Sequence, residues 1–412
     1  MEKFISIDMR HIIFKDSFNF LSTSLEKLCS NLKTKAKGEI RNLPQVFPHL
    51  YRYFKSRFPH LPLSAFNLLS NKSHYPFEHM SSFENFSETS LPSRQSFYST
   101  VSMKTITEEE YEFAQKVWRT FGCRTMRDYH NLYVSCDTFI LADVFENFRS
   151  MSERIYDLDP VNFSTAPGLS WMAALKHSKV ELDILTDIEM ALFIDRSLLG
   201  GYSAVVNPVG QANNEYLGPA HYNPDLPKKY ILLLDCNNEY GYSMSGYLPY
   251  GNFRWIQPEE FSIFTERYFK FASTTNKTSY FVECDLEYPV EFHDDEAHSD
   301  FPLAMEKMDI VNTNLSDYQK KLTEALNLRS GGEKLCATFY KKHKYILHLE
   351  NLQQYLKLGL KLGKIHRILA FDQKIWLRSY VELNTELRRQ ASDASEKDFC
   401  KLMVGLMYLQ YQ

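Results

Sequence analysis

Apolar residues at helical spacing dominate the first half of the chain. In "RDYHNLYVSCDTFILADVFENFRSMSERIY", Leu132, Cys136, Ile140, Val144, Phe148, Met151 and Ile155 recur every three or four positions. That stripe predicts one long helix over about Arg127–Ile155. "ITEEEYEFAQKVWRTFG" predicts another, with Thr107 and Glu110 as a capping box, Ile106 and Tyr111 as a hydrophobic staple and Gly122 as the stop. Leu21, Leu25, Leu28 and Leu32, capped by Ser24, predict a third behind a strand-end acid, Asp16. "TDIEMALFIDRSLLGG" reads as a helix ending in glycine, and "KKHKYILHLENLQQYLKLGLKLGKIHRILAF" as strand, helix, strand. "TSYFVECDLEYP" alternates at period two, which predicts a half-buried strand whose acidic face, Glu283, Asp285 and Glu287, meets solvent. Ile231 to Leu234 show no alternation, so they predict a strand covered on both faces and closed by Asp235.

Between these elements the pattern breaks down. From about Lys33 to Met103 the chain is rich in Ser, Pro, Asn and aromatics, and long loops anchored by aromatic rings are expected. "DPVNFSTAPGLSW" reads as loop, and "VNPVGQANNEYLGPAHYNPDLPKK" as a connector. No internal repeat is present. The elements sum to a mixed α/β (α+β) chain with a boundary near Gly200.

Composition narrows the classes. The length of 412 residues suits two or three domains, and a net charge of -4 excludes a wholesale polycation. Seven dispersed cysteines show none of the short spacings of zinc or redox sites and read as reduced thiols of an intracellular protein. The opening residues lack a signal peptide's pattern, and no run approaches the roughly 18 apolar residues of a membrane span. A soluble chain is expected, with nucleus and cytoplasm both open.

Four stretches carry candidate chemistry. Tyr133 and Asp137, four apart, share a helix face. Asp137 is set in apolar text, where metal ligation with the phenol orienting a water is one reading and a bond to a neighbouring loop the other. Asp235 ends its run either as a cation ligand or as the cap of its own turn through Asn237 or Asn238. Between Lys341 and Arg378, nine Lys or Arg stand against two acids, interleaved with aromatics. That excess suits either a nucleic-acid backbone or a solvated helix face. "FHDDEAHSD" resembles a metal site in composition only, and a solvated loop is expected.

Taken together, the stretches resemble the family B DNA polymerases of the protein-primed type found in viruses, organelles and mobile elements. "LDCNNEYGYSMSGYLPYG" resembles polymerase motif A, and "YVSCD" resembles the third exonuclease motif, Y-x-x-x-D. The order of "KDSFNFLSTSLEKL", "FGCRTMRDYHNLYVSCDTFILADVFENFR", "STAPGLSWMAALK", "KLGLKLGKIHRILAFDQKIWL" and "YVELNTELRRQAS" matches too, from about Asp16 to Met403.

The resemblance implies the rear of a ribonuclease H-like 3'-5' exonuclease domain over 1–199 and a palm over 200–310. It further implies an insertion with the basic region over 311–380 and the start of the fingers over 381–412. It implies template-directed nucleotidyl transfer in DNA replication, with DNA, deoxynucleotides and a priming protein as partners and a Mg2+ pair as cofactor. Asp235 is the implied palm carboxylate, with the Cys236 carbonyl as a further ligand, and Tyr240 the steric gate under the incoming sugar. Asp137 holds an exonuclease metal and Tyr133 positions the water. Gly200 and Gly201 match a template-contacting Gly-Gly turn, Lys401 a fingers lysine for nucleotide phosphates, and Lys357, Lys361, Lys364 and Arg367 a DNA contact. The sequence departs from the family within motif A, where Glu239 replaces the usual Leu, near the Gly-Gly turn, where Leu198 and Leu199 stand in place of an aromatic or basic side chain, and in three further places. No Y-x-D-T-D motif follows, Gly405 and Leu406 stand where Asn and Ser belong, and the first two exonuclease motifs are not found before Asp16. A fragment with little activity is therefore expected, and the alternative is a non-catalytic remnant or nucleic-acid-binding module.

Overall fold

The computed structural model describes residues 6–35, 38–206, 209–328 and 331–411. Residues 207–208 of the expected connector, the first five residues and Gln412 lie outside that set. In chain order, the elements begin with β1 (Ser6–Met9) and β2 (Ile12–Lys15). Helices α1 (Leu25–Lys33), α2 (Leu43–Val46), α3 (Pro48–Arg57), α4 (Leu63–Leu69), α5 (Glu108–Thr120), α6 (Met126–Tyr156), α7 (Ala166–Ser178), α8 (Ile188–Ser197) and α9 (Glu239–Met244) follow. The second half runs β3 (Leu248–Trp255), α10 (Glu266–Phe271), β4 (Thr278–Glu287), α11 (Glu296–Asp300), β5 (Glu306–Ile310), α12 (Asp317–Ala325) and β6 (Gly332–Cys336). It closes with β7 (Lys342–His348), α13 (Leu349–Lys357), β8 (Lys361–Lys374), α14 (Arg378–Gln390) and α15 (Ala394–Tyr411). The mixed α/β class read from the sequence holds.

Two compact units divide the chain: residues 1–179 with 378–412, and residues 180–377. The first cut falls 21 residues before Gly200. The second returns the last 35 residues to the first unit.

In the first unit α6 is the spine. Every member of its predicted stripe from Leu132 to Met151 is buried. Thr125 and Asp128 form a capping box at its start, and Asp157 in the left-handed region ends it. The capping box of α5 forms between Thr107 and Glu110 as the spacing required, and Gly122 stops that helix at φ +63°. Ser24 caps α1. Loops were expected between Lys33 and Met103; α2, α3 and α4 form over 43–69 instead, whereas 70–103 is loop with short 3-10 turns, anchored by Tyr75 and Phe86 on Tyr133 and His130. The helices' prolines Pro44, Pro48 and Pro62 stand at or beside the first turn, where a missing N–H costs nothing. Phe47, Phe54, Phe66 and Leu69 from this stretch are fully buried against α6 in one core, each contributing about 1.5–3 kcal/mol by burial. The loop expected over "STAPGLSW" is likewise corrected: Thr165 caps α7 and Pro167 sits in its first turn. α14 and α15 pack on α7, where Ser170 Oγ donates to the Met403 carbonyl at 2.5 Å, and Phe148 meets Phe399 at 5.2 Å.

The second unit is built on a four-stranded antiparallel sheet of order β3-β8-β4-β7. β7, α13 and β8 follow the predicted strand, helix, strand. One face packs on α13 and α10 through Val282, Cys284, Leu286, Leu352, Leu356 and Phe269. On the other, Phe193 of α8 packs with Ile346 and Leu369. β3 runs close to Asp183, whose carboxylate accepts from Asn252 N at 2.5 Å. A Cβ on Gly251 would collide with that carboxylate, so glycine is required there.

Two readings of this half are overturned. Ile231 to Leu234 form no strand and are exposed, Leu233 at 98 %. A strand is held by hydrogen bonds to a neighbour, and none of the described strands lies beside this run. The acidic face of β4 meets solvent at Glu287 but not along its length. Glu283 is buried in a two-bond fork from Arg367 (2.8 and 3.0 Å), and Asp285 accepts from Lys344 N at 3.0 Å and bonds His366 Nε2 at 2.8 Å.

Candidate functional site

Asp137 and Tyr133 lie one turn apart on α6, on the same face as the four-residue spacing requires, with the phenol and the carboxylate electrostatically coupled. The Tyr133 ring is buried and stacks on Tyr75 at 4.9 Å with Phe77 edge-on at 6.0 Å. Tyr75 in turn bonds His130 Nδ1 at 2.8 Å. Loss of solvent raises the Asp137 carboxyl above the usual range, while the Tyr133 hydroxyl and the charge of Lys72 act against that rise. Burial and then the Asp137 charge push the phenol far upward, so it stays protonated and can donate. The pair is therefore a half-buried acid beside a buried, protonated phenol.

Asp235 has none of this framework. It is exposed at the end of an irregular run, and no described residue gives it a hydrogen bond or ion pair. The turn behind it depends on Asn238, in the left-handed region at φ +55°, which starts α9 without a side-chain cap. Cys236 is exposed, and Tyr240 is half exposed on α9. The turn cap through Asn237 or Asn238 is not formed: no described hydrogen bond joins the Asp235 carboxylate to either. Lys401 is exposed on α15 and belongs to the first unit, whereas Asp235 and Tyr240 belong to the second. Gly200 and Gly201 are exposed, and a Cβ at either would meet nothing within 4 Å, so the local backbone does not require glycine.

The basic stretch divides by environment. Lys342 is buried, with its ammonium on Thr338 Oγ1 at 2.7 Å and on Glu306. Arg367 is held by Glu283 and lies over Phe193 and Trp255 at 4.9 and 5.4 Å. Lys361 and Lys364 are exposed on β8, and Lys357 is exposed at the end of α13, bonded to Gln353. "FHDDEAHSD" is a short helix capped by Asp295. Its His298 bonds the Tyr288 hydroxyl at 2.6 Å and its His293 stacks on Phe339 at 4.8 Å.

Among the described residues, no group of three or more His, Cys, Asp or Glu side chains is placed to hold a metal ion. A Mg2+ pair needs carboxylates shared between two ions, and Asp137 and Asp235 each stand as single acids in separate units. The residues as placed do not fit that cofactor.

Sequence reasoning missed Asp143. It is fully buried and accepts from the His49 and Leu50 backbone N–H groups at 3.0 and 3.1 Å and bonds His49 Nδ1 at 2.6 Å, anchoring the start of α3. The signal was present: an acid one position before Val144 lies on the buried stripe of α6.

No protein-family model and no curated protein matches the chain. Among solved structures it is similar to phi29 DNA polymerase. With the orthorhombic crystal form it shares 14% identity at a TM-score of 0.41, covering 96% of this chain and 48% of that one. With the ternary complex carrying primer-template DNA and incoming nucleotides the values are 14% and 0.42, over the same shares. With the complex bound to single-stranded DNA they are 13% and 0.37, over 96% and 47%. The chain thus spans about half the length of the solved structures it matches.

Proposed function

We propose that the chain is part of a DNA polymerase of the protein-primed family B kind, whose whole reaction adds deoxynucleotides to a primer 3'-hydroxyl and releases pyrophosphate. The reading rests on the order of the motifs from Asp16 to Met403, and the observation that carries it is the Tyr133–Asp137 pair. There the Y-x-x-x-D spacing sets a buried phenol one helical turn from a half-buried carboxylate. In this reading Asp137 and Tyr133 belong to the exonuclease chemistry. Asp235 and Tyr240 belong to nucleotide addition, Lys401 to the nucleotide phosphates, and Gly200 and Gly201 to the template. The single acids described above do not make a two-ion site.

A second reading, a nucleic-acid-binding module without catalysis, is favoured by one observation: Lys357, Lys361 and Lys364 stay exposed while the candidate acids stand singly. A labelled primer-template separates the two. Binding that weakens steeply with salt and falls when Lys357, Lys361 and Lys364 are replaced by Gln is expected under both. Primer extension that disappears in Asp235→Ala supports the polymerase, and salt-dependent binding without extension supports the module. A chain that does not bind DNA at low salt sinks both.

A further inference from the structure

The last turn of α3 and the connection between α5 and α6 enclose a polar cavity of about 320 Å3 in the first unit. Arg57 and Arg124 line it, and neither guanidinium makes a hydrogen bond or ion pair with a described residue. Arginine does not shed its proton in a protein, so two full positive charges face this space with a single carboxylate, Asp128, on its wall. Asn131 adds an amide that likewise has no protein partner among the described residues. Arg57 at the C-terminal end of α3 complements that helix's dipole, but this accounts for neither Arg124 nor the space between them.

The remaining wall is aromatic. Tyr53 and Phe121 each pack against Phe58, at 6.3 and 5.0 Å. The one carboxylate on the cavity, Asp128, is committed elsewhere: its Oδ2 accepts from Arg124 N, Thr125 N and Thr125 Oγ1 at 2.9, 3.0 and 3.1 Å. Burial pushes the Cys123 thiol up to about 11, so it adds no negative charge near neutrality. Two cations thus outweigh one occupied acid beside a flat apolar wall.

We propose that this cavity binds the phosphate group of a nucleotide, with Arg57 and Arg124 on its oxygens and the Tyr53 and Phe121 rings against its base or sugar. Paired guanidinium groups suit phosphate because their N–H forks match its oxygens. Asp128 and Asn131 lie on roughly the opposite side of α6 from Tyr133 and Asp137, by the helix period. The cavity is therefore separate from that pair and does not depend on the chain making DNA. The phosphate can come from a free nucleotide or from the end of a strand, and the two sources are distinguishable.

Isothermal titration of the full chain tests this with inorganic phosphate, dAMP, a 5'-phosphorylated oligothymidylate and its 5'-hydroxyl counterpart. Phosphate is expected to bind weakly and dAMP more tightly. Arg57→Gln and Arg124→Gln should each weaken dAMP by about tenfold and leave the melting temperature in place, because neither side chain holds the fold. Binding of the 5'-phosphorylated strand alone, lost in the same variants, assigns the site to a strand end. Absence of binding by every probe, or binding that survives in the double variant, overturns the proposal. Substituting Lys361 and Lys364 should leave dAMP binding unchanged, which keeps this outcome apart from that of the DNA test above.

Discussion

Asp137 and Asp235 occupy similar text and very different structure. Both follow apolar residues, and both fall in stretches that resemble polymerase motifs. Asp137 stands on a 31-residue helix whose stripe is buried in its own core, with Tyr133 one turn before it and Tyr75 stacked on that ring. Asp235 ends five apolar residues that are exposed from Tyr230 to Leu234. The difference lies in where each element finds its hydrogen bonds. A helix satisfies its backbone within its own segment, so an amphipathic pattern needs only a core to lie on. A strand needs a neighbour beside it, and apolar character alone does not supply one.

The first way to sharpen this comparison is to remove a ring from the framework that supports Asp137. Phe54→Ala leaves a cavity among Tyr51, Phe58 and Phe66 and should cost about 3–5 kcal/mol, read by urea unfolding. A loss below about 1 kcal/mol would mean that this core is loosely packed.

The second concerns pH and belongs to the sheet unit. His348 is half-buried at the end of β7, and loss of solvent depresses its imidazole to about 4, against about 6.5 in an unfolded chain. The unfolded state therefore binds more protons between those values. The stabilising contribution is complete above about 6.5 and is lost as pH falls towards 4. His348→Asn keeps a cap for α13 and removes the titration. Its melting temperature should fall less steeply than the wild type's over that window, and parallel curves would refute the assignment.

The smallest effect is expected at Leu233→Ser. With its side chain almost wholly in solvent, the substitution should change stability by no more than about 0.5 kcal/mol. A loss of 2 kcal/mol or more would show that the run is covered in solution, and that Asp235 has neighbours it lacks here.

What was legible in the sequence was local. The α6 stripe, the Thr107–Glu110 box, the Ser24 cap and the strand, helix, strand of β7, α13 and β8 depend on residues a few positions apart. Proline misled the reading of α2, α3, α4 and α7, because at a first helical turn it starts a helix as readily as it marks a loop. The candidate site was legible only where it too was local, in the pairing of Tyr133 with Asp137.

By itself, then, the sequence determined α1, α5 and α6 with their caps, the strand β4 and the spacing that sets Tyr133 one turn from Asp137, since each is decided within a turn or two of backbone. Tertiary structure alone decided that Glu283 faces Arg367 across 84 positions, that Lys342 is buried on Glu306, and that the last 35 residues return to the first unit. It also decided that Arg57 and Arg124 share a cavity. The physical reason is the same in each case: burial and charge pairing depend on which distant segments come into contact, and no periodicity within a segment encodes its partner.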